Sequence, residues 1–334
     1  MNTCARLPGC AAAAQRRPPI IAAPATPAPC YMPEPTAAFP SSIDYAALGD
    51  RLRAYRVGAS LQAEDVAAQL GVSRVVVYRM EKGAIVKIET LERLAQLLGT
   101  TLASLLGVEV EYYSTALGLL ERMRQLEQNS DRILAHFEPI SLLLTSGDYL
   151  TYLRSMLLEG APPAAGARGK AKAAQQIEEM LAILTERKNH FEKRRPHIVS
   201  LIGLRELERF VYTGLVGRLD LAEAVRRERV QAARREVERI AALMESEPLH
   251  VQIGLVDDAM PASTFQVFSS SRSMVAVSPF RFGELPNVRN GIATVTAAPE
   301  AVRLYEEMVA RLWQGAYKGK TGAQQLRKLL ERIR

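Results

Sequence analysis

The stretch "LGVSRVVVYRMEKGA", residues 70–84, decides the fold of the first part of the chain. Three consecutive valines and a tyrosine favour a β-strand, because β-branched and aromatic side chains are enriched in strands. Ser73, however, precedes the run at a position where it can cap a helix, and Gly83 follows it where a helix would end. The stretch is therefore either a buried strand or a helix of unusual composition.

A helix separates the residue types of this stretch better than a strand does. Helical spacing places Val76, Val77 and Met80 on one face and leaves polar side chains on the other. In an alternating strand, Arg74 would share a face with Val76, which mixes charge into an apolar surface. The sequence therefore predicts a helix over residues 74–82.

Helical patterns also surround this stretch. They are "IDYAALGDRLRAYR" and "AEDVAAQL" before it, and "KIETLERLAQLLG" and "TTLASLLG" after it. Each carries apolar residues at helical spacing. Gly71 provides the turn between the second and third helices, which is the order of a helix-turn-helix motif. The sequence predicts a mainly α unit of five short helices over residues 42–110.

This arrangement resembles the XRE/Cro/C1-type helix-turn-helix regulators related to phage repressors. The matching elements are "LGDRLRAYR", "AEDVAAQLGVS", "YRMEKG" and "ETLERLAQLLGTTLASLLG". The resemblance covers residues 45–107. It implies a five-helix, lambda-repressor-like bundle that docks its third helix in the major groove of double-stranded DNA.

The resemblance also implies roles for individual residues. The base-reading positions are Arg74, Val75, Tyr78 and Arg79. The phosphate-contacting positions are Ser73, Lys82 and Lys87. An arginine suits bidentate contact with guanine, and a valine suits the thymine methyl group. Glu81 matches a structural acid of the family, which pairs with an arginine of the first helix, here Arg56.

A departure from the family pattern, together with a neutral local charge, predicts modest DNA affinity for a single unit. Gln62 and Ala63 replace a Ser or Thr followed by Gln at the start of the second helix, so the cap is weak and a phosphate contact is lost. Residues 41–110 also carry eight basic and eight acidic side chains, so their net charge is zero. Binding as a homodimer to an operator would compensate, because two linked units contribute together.

A longer helix is expected over residues 115–137, within a connecting region over 115–159. Its apolar stripe follows heptad spacing with one polar break. The stripe consists of Leu119, Met123, Leu126, Ser130, Ile133 and Phe137. Two interpretations remain open, since such a stripe can pack within its own domain or form a dimer seam.

Beyond a loop or linker at 160–174, the pattern predicts a C-terminal α+β domain over 175–334, for sensing or oligomerisation. Helical patterns cover 175–194, 204–212, 220–246, 299–314 and 322–333. Strand patterns are "HIVSLIG", "LHVQIGLV", "TFQVFS", "SMVAVSPF" and "GIATVTA". Residues 120–330 resemble the effector-type region that follows this motif in some actinobacterial regulators. That region is sometimes compared with the phospholipase D fold, but the catalytic His-x-Lys-x4-Asp motif is absent here.

The loop "SPFRFGELPNVRNG", residues 278–291, is the candidate effector site of that domain. Arg281 and Arg289 flank Glu284 and Asn287, and two arginines suit a carboxylate or phosphate group of a small molecule. The alternative is a structural loop held by internal Arg–Glu pairs.

Composition bounds the class of protein. The hydrophobic fraction of 48% allows a folded core, and no apolar run reaches the roughly 18 residues of a membrane span. The three cysteines lie within the first 30 residues, which excludes a disulfide framework from the rest of the chain and fits the cytoplasm. Residues 1–40 are rich in Ala and Pro and are predicted to be a disordered tail.

Catalytic patterns are missing from the sequence. The four histidines lack metal-ligand spacing, and no Gly-x-Ser-x-Gly motif occurs. "GAYKGKT", residues 315–321, departs from phosphate-loop spacing and follows a helix. We therefore expect a transcription regulator that is not an enzyme and needs no cofactor or metal. An antitoxin-like interaction module and an enzyme with an appended helix-turn-helix are the alternatives.

Overall fold

The computed structural model describes residues 44–84, 87–108, 110–161 and 166–333. They belong to one compact unit, Ile43–Arg334. The tail predicted over residues 1–40, with its three cysteines, lies outside the described residues.

Five helices open the described chain, as the sequence predicts. They are α1 Tyr45–Gly58, α2 Ala63–Leu70, α3 Arg74–Glu81, α4 Ile88–Leu97 and α5 Leu102–Leu106. The valine run is helical because Ser73 caps α3, its Oγ accepting a hydrogen bond of 3.4 Å from the backbone N–H of Val76. Gly71 ends α2 with a left-handed φ of 71°, which a glycine adopts at little cost.

An eight-stranded sheet forms the centre of the remaining described residues. Its strands are β1 Val110–Tyr113, β2 Arg132–His136, β3 His197–Gly203, β4 Val251–Val256, β5 Thr264–Ser269, β6 Met274–Ser278, β7 Ala293–Thr296 and β8 Tyr317–Lys318. The order across the sheet is β1-β7-β6-β5-β2-β3-β4-β8. Neighbours β2, β3 and β4 run parallel, and the other pairs are antiparallel.

Seven further helices, interspersed among the strands after β1, pack around this sheet in the described ranges. They are α6 Ala116–Gln128, α7 Tyr149–Glu159, α8 Gly166–Arg194, α9 Leu204–Thr213, α10 Glu223–Ser246, α11 Pro299–Gly315 and α12 Gly319–Arg332, and a short 3-10 helix covers Leu142–Leu144. Alternating side chains of β2 enter different cores, since successive strand residues point to opposite faces. Leu134 joins the cluster beneath α11, whereas Ile133 and Ala135 join the larger cluster that continues into the five-helix unit.

The helix predicted over residues 115–137 is wrong beyond Gln128. The chain leaves α6 there, and Ile133 lies in the central strand β2. A strand that is buried on both faces lacks alternation of apolar and polar residues, so Ile133 also satisfied the heptad spacing. Every residue of the predicted stripe is buried within this chain, which supports packing in its own domain and leaves no dimer seam there.

The domain boundaries also differ from the prediction. Strand β1 pairs with β7, so the α+β part begins directly after α5 and the region 115–159 belongs to it. Helix α8 begins at Gly166, inside the predicted linker 160–174. The α+β fold class and the five strands predicted after residue 196 are confirmed, whereas β8 was not predicted.

Candidate nucleic-acid interface

Helix α3 has one face in the core and one face in solvent. Val77 and Met80 are buried, and Val76 is half-buried. On the other face the exposed fraction is 64% for Val75 and 42% for Tyr78. Arg74 and Arg79 are exposed as well. The structure therefore brings the four predicted base-reading residues together on one open surface, which we call the α3 face.

A buried ion pair fixes the far end of α3 against α1. Arg56 contacts Glu81 through two hydrogen bonds, Nε to Oε1 at 2.5 Å and Nη2 to Oε2 at 3.2 Å. Arg56 Nη1 also donates to the carbonyl oxygen of Leu61 at 2.9 Å. Such a bidentate pair restricts orientation as well as distance. The pair predicted between these two residues is present, and it holds the helix that carries the α3 face.

A close backbone contact supports the same junction. A Cβ atom at Gly49 of α1 would lie 2.5 Å from the carbonyl oxygen of Glu81, so only glycine fits there. The sequence analysis did not identify this residue, although a glycine inside a helical pattern can indicate a close approach of two backbones.

Arg74 is not a free side chain in the structure. Its Nη1 donates to Oε1 of Glu64 on α2 at 2.7 Å, and its guanidinium lies 5.7 Å from the centroid of the Tyr78 ring. The hydrogen bond to Arg74 lowers the pKa of Glu64. Both side chains are largely exposed, and such pairs contribute little and exchange readily for other partners. Sequence reasoning missed Glu64, which faces Arg74 across the turn between α2 and α3.

The predicted phosphate-contacting residues lie at the ends of helices. Ser73 and Lys82 flank α3, and Lys87 precedes α4. All three are exposed. The Ser73 hydroxyl oxygen caps α3, and its hydrogen remains able to donate to a phosphate. The weak start predicted for α2 is supported by Asp65, whose Oδ2 accepts from the Gln62 backbone N–H at 2.8 Å.

The opposite side of the five-helix unit is docked onto the rest of the chain. Helices α1 and α6 approach closely at Gly58 and Gly118, where a Cβ on Gly58 would lie 2.9 Å from the Gly118 Cα. Arg53 of α1 pairs with the buried Glu121 of α6 at 2.9 Å. The α3 face stays exposed in the presence of these contacts, so the rest of the described chain does not cover it.

The candidate effector loop is largely held by internal contacts. Glu284 accepts from Arg209 Nε at 2.5 Å, and Arg281 lies 3.7 Å from Glu138. The amide of Asn287 donates to two backbone carbonyl groups of the loop. These contacts favour the structural interpretation for the three residues. Arg289 is exposed and forms no ion pair with the described residues.

Two other kinds of site, a membrane-spanning helix and a metal site, are absent from the described ranges. No helix there combines the length and apolarity needed to cross a bilayer. No group of three or more His, Cys, Asp or Glu side chains there is placed to hold a metal ion.

Comparison with known families agrees with the geometry of the first five helices. Residues 47–106 match the family described as a helix-turn-helix domain. No curated protein matches the chain. The matched residues run from α1 to α5 and include the α3 face, the turn at Gly71 and the Arg56–Glu81 pair. Residues 47–106 therefore form a helix-turn-helix domain, a fold that places its second motif helix in the DNA major groove.

Proposed function

We propose that this protein is a sequence-specific transcription regulator that reads operator DNA with α3 and has no catalytic role. The observation that carries the proposal is the α3 face. It combines exposed Arg74, Val75, Tyr78 and Arg79 on the motif helix that enters the major groove in helix-turn-helix domains. The exposed Val75 beside these arginines suits contact with a thymine methyl group.

The geometry supports different roles for these residues in DNA binding. Arg79 has no ion-pair partner among the described residues, so its guanidinium is available for the bidentate contact with guanine. Arg74 would exchange Glu64 for DNA. Ser73, Lys82 and Lys87 would contact phosphates, which contributes affinity and register without selecting the sequence.

We further propose that the protein binds as a homodimer to an inverted repeat in the cytoplasm. Residues 41–110 carry no net charge, so one unit gains little from general attraction to phosphate. Two units on one assembly would reach half-sites about 34 Å apart, which corresponds to one helical turn of DNA. Since the stripe on α6 and β2 is buried within the chain, the dimer surface would lie elsewhere.

Arg79→Ala in the full chain tests the proposal. DNA fragments are first selected from a random library with the wild-type protein, and affinities are then measured by fluorescence anisotropy at fixed salt. We expect a loss of about tenfold to a hundredfold for the selected sequence and relaxed choice at one base pair.

Arg303→Ala, which removes an exposed arginine of α11, is the matched control and should leave selection unchanged. If Arg79→Ala selects the same sequence with the same affinity as the wild type, the α3 face does not read DNA.

A further inference from the structure

A cavity of about 260 Å³ lies where the helix-turn-helix domain meets the sheet domain. Five segments enclose it: the end of α1, the start of α6, the end of α7, the first half of α8 and the loop containing Arg289. Its interior is apolar, with buried Met156, Leu157, Ile177 and Met180 among the lining side chains. A concave site with a mainly apolar lining and a few polar groups is typical of small-molecule binding sites.

The charge in the described lining of the cavity is positive. Arg289 is the one charged side chain among the described residues that line the cavity, and it is exposed, so it lies at the mouth. Uncharged groups, including Ser114 and Gln176, supply the remaining polarity. An apolar interior beside a lone guanidinium is complementary to a molecule with an apolar body and one anionic group. The two methionines can adapt to different shapes of that body.

We propose that this cavity binds a small amphipathic anion, such as an aliphatic or aromatic carboxylate, with its anionic group at Arg289. This inference deepens the proposed function, on which its regulatory part rests. Of the four candidate effector residues, Arg289 is the one that lines the cavity, whereas Arg281 and Glu284 are engaged with Glu138 and Arg209.

The cavity reaches the helix-turn-helix domain directly. Gly58 and Ser60, at the end of α1 and in the turn to α2, belong to its lining. Ser60 has a left-handed φ of 55°, and its Oγ accepts from Nε2 of Gln176 on α8 at 3.2 Å. Thr115 Oγ1 donates to the Gly58 carbonyl oxygen at 3.2 Å. A bound molecule would therefore touch the turn that positions α2, and the ligand and DNA would influence each other's affinity.

The binding test uses the full chain without DNA. The probes are octanoate and 3-phenylpropionate, each compared with its neutral amide, and binding is followed by calorimetry and by the shift in Tm. We expect at least one carboxylate to bind and raise the Tm, with a preference over its amide on the order of tenfold. Arg289→Gln should remove that preference while the amide still binds.

Filling the cavity provides the second variant. Ala173 of α8 lines it, so Ala173→Phe should abolish binding of both probes. Ala171→Phe places the same side chain on the exposed surface of α8 as a control and should bind them like the wild type. The proposal is overturned if neither carboxylate binds the wild type, or if Ala173→Phe binds them unchanged. A preference that survives Arg289→Gln would overturn the anionic assignment.

The regulatory part is tested separately with the selected DNA. Saturating octanoate, or whichever carboxylate binds, should change the DNA affinity of the wild type and of Ala171→Phe, but not of Ala173→Phe. If binding occurs without any effect on DNA affinity, the coupling is refuted. If Arg79→Ala fails to alter DNA recognition while the probes still bind, the proposed function fails and the cavity remains a ligand site.

Discussion

Two Arg–Glu pairs, one within the helix-turn-helix domain and one at its junction with the sheet domain, have similar distances and very different surroundings. Arg74 and Glu64, on the α3 side, are 2.7 Å apart with side chains 60% and 53% exposed. Arg122 and Glu111, beneath the domain, are 2.8 Å apart with side chains 4% and 3% exposed. The first pair can exchange its partners for DNA at little cost, whereas the second cannot be opened without leaving a charge in the protein interior.

The buried pair belongs to a network that joins the domain to the sheet. Glu111 of β1 accepts from Arg122 at 2.8 and 2.9 Å and from the Tyr113 hydroxyl at 2.8 Å. Arg51 of α1 lies 3.8 Å from Glu111 and donates to the carbonyl oxygens of Leu105 and Leu106 at 2.6 and 2.9 Å. Burial therefore separates a region that anchors the domain from a region that is free to contact a partner.

The largest expected effect comes from breaking the anchoring network. Glu111→Gln leaves the Arg122 guanidinium buried without its counter-charge, and we expect a loss of about 3–5 kcal/mol in the free energy of unfolding. Urea denaturation of the full chain measures it. Glu64→Gln, which opens the exposed pair, is the matched control and should change stability little. Equal losses in the two variants would show that burial does not distinguish the pairs.

The buried and exposed sides of α3 should differ in the same way within one helix, with a smaller difference in stability. Val77 is 3% exposed, so Val77→Ala should lower the free energy of unfolding by about 2 kcal/mol, from lost burial and the space left behind. Val75→Ala should leave stability within about 0.5 kcal/mol and alter the DNA sequence that is selected. The checks are urea denaturation and selection from a random DNA library. If Val75→Ala lowered stability and Val77→Ala altered the selected DNA, the core-facing and DNA-facing sides of α3 would be the reverse of those described.

Local patterns were enough to predict the helix-turn-helix domain. Its five helices, the split of the valine run and the Arg56–Glu81 pair all depend on contacts between residues close in sequence or on a strong family resemblance. Strands β3 to β7 were also recognisable, because each is a short apolar run bounded by turn residues. The sequence of neighbouring residues and their side-chain types were sufficient to predict these parts of the fold.

The features that were missed depend on tertiary contacts. The residues of strand β2 fitted the helical spacing of α6. A strand buried on both faces lacks the alternation of apolar and polar residues that would identify it. Gly58 and Gly118 are 60 residues apart, and only the folded chain shows that they meet. Glu64 was not predicted to contact Arg74, because only the turn at Gly71 brings the two side chains together.

Acid should lower the stability of the chain through the buried His136. Burial lowers the pKa of His136, whose ring nitrogens lie 3.5 and 3.2 Å from the Leu201 and Pro261 carbonyl oxygens. Glu138 and Glu206 act in the opposite sense but do not outweigh burial. The unfolded chain takes up this proton near pH 6.5 and the folded chain only at lower pH. His136 therefore causes stability to fall as pH drops below about 6.5.

His136→Gln should remove that part of the pH dependence, which urea denaturation between pH 5 and pH 8 measures. The same slope in the variant and the wild type would assign it to other groups.

The smallest expected effect concerns the exposed pair itself. Glu64→Gln removes an acid from the DNA side of the domain and releases Arg74, so affinity for the selected DNA should rise on the order of threefold. Anisotropy titrations at two salt concentrations measure it, and the gain should shrink at higher salt. In an Arg74→Gln background, the part of the gain that acts through Arg74 should disappear. A gain of equal size in both backgrounds would mean that Glu64 repels DNA directly and does not restrain Arg74, so that the exposed pair has no part in recognition.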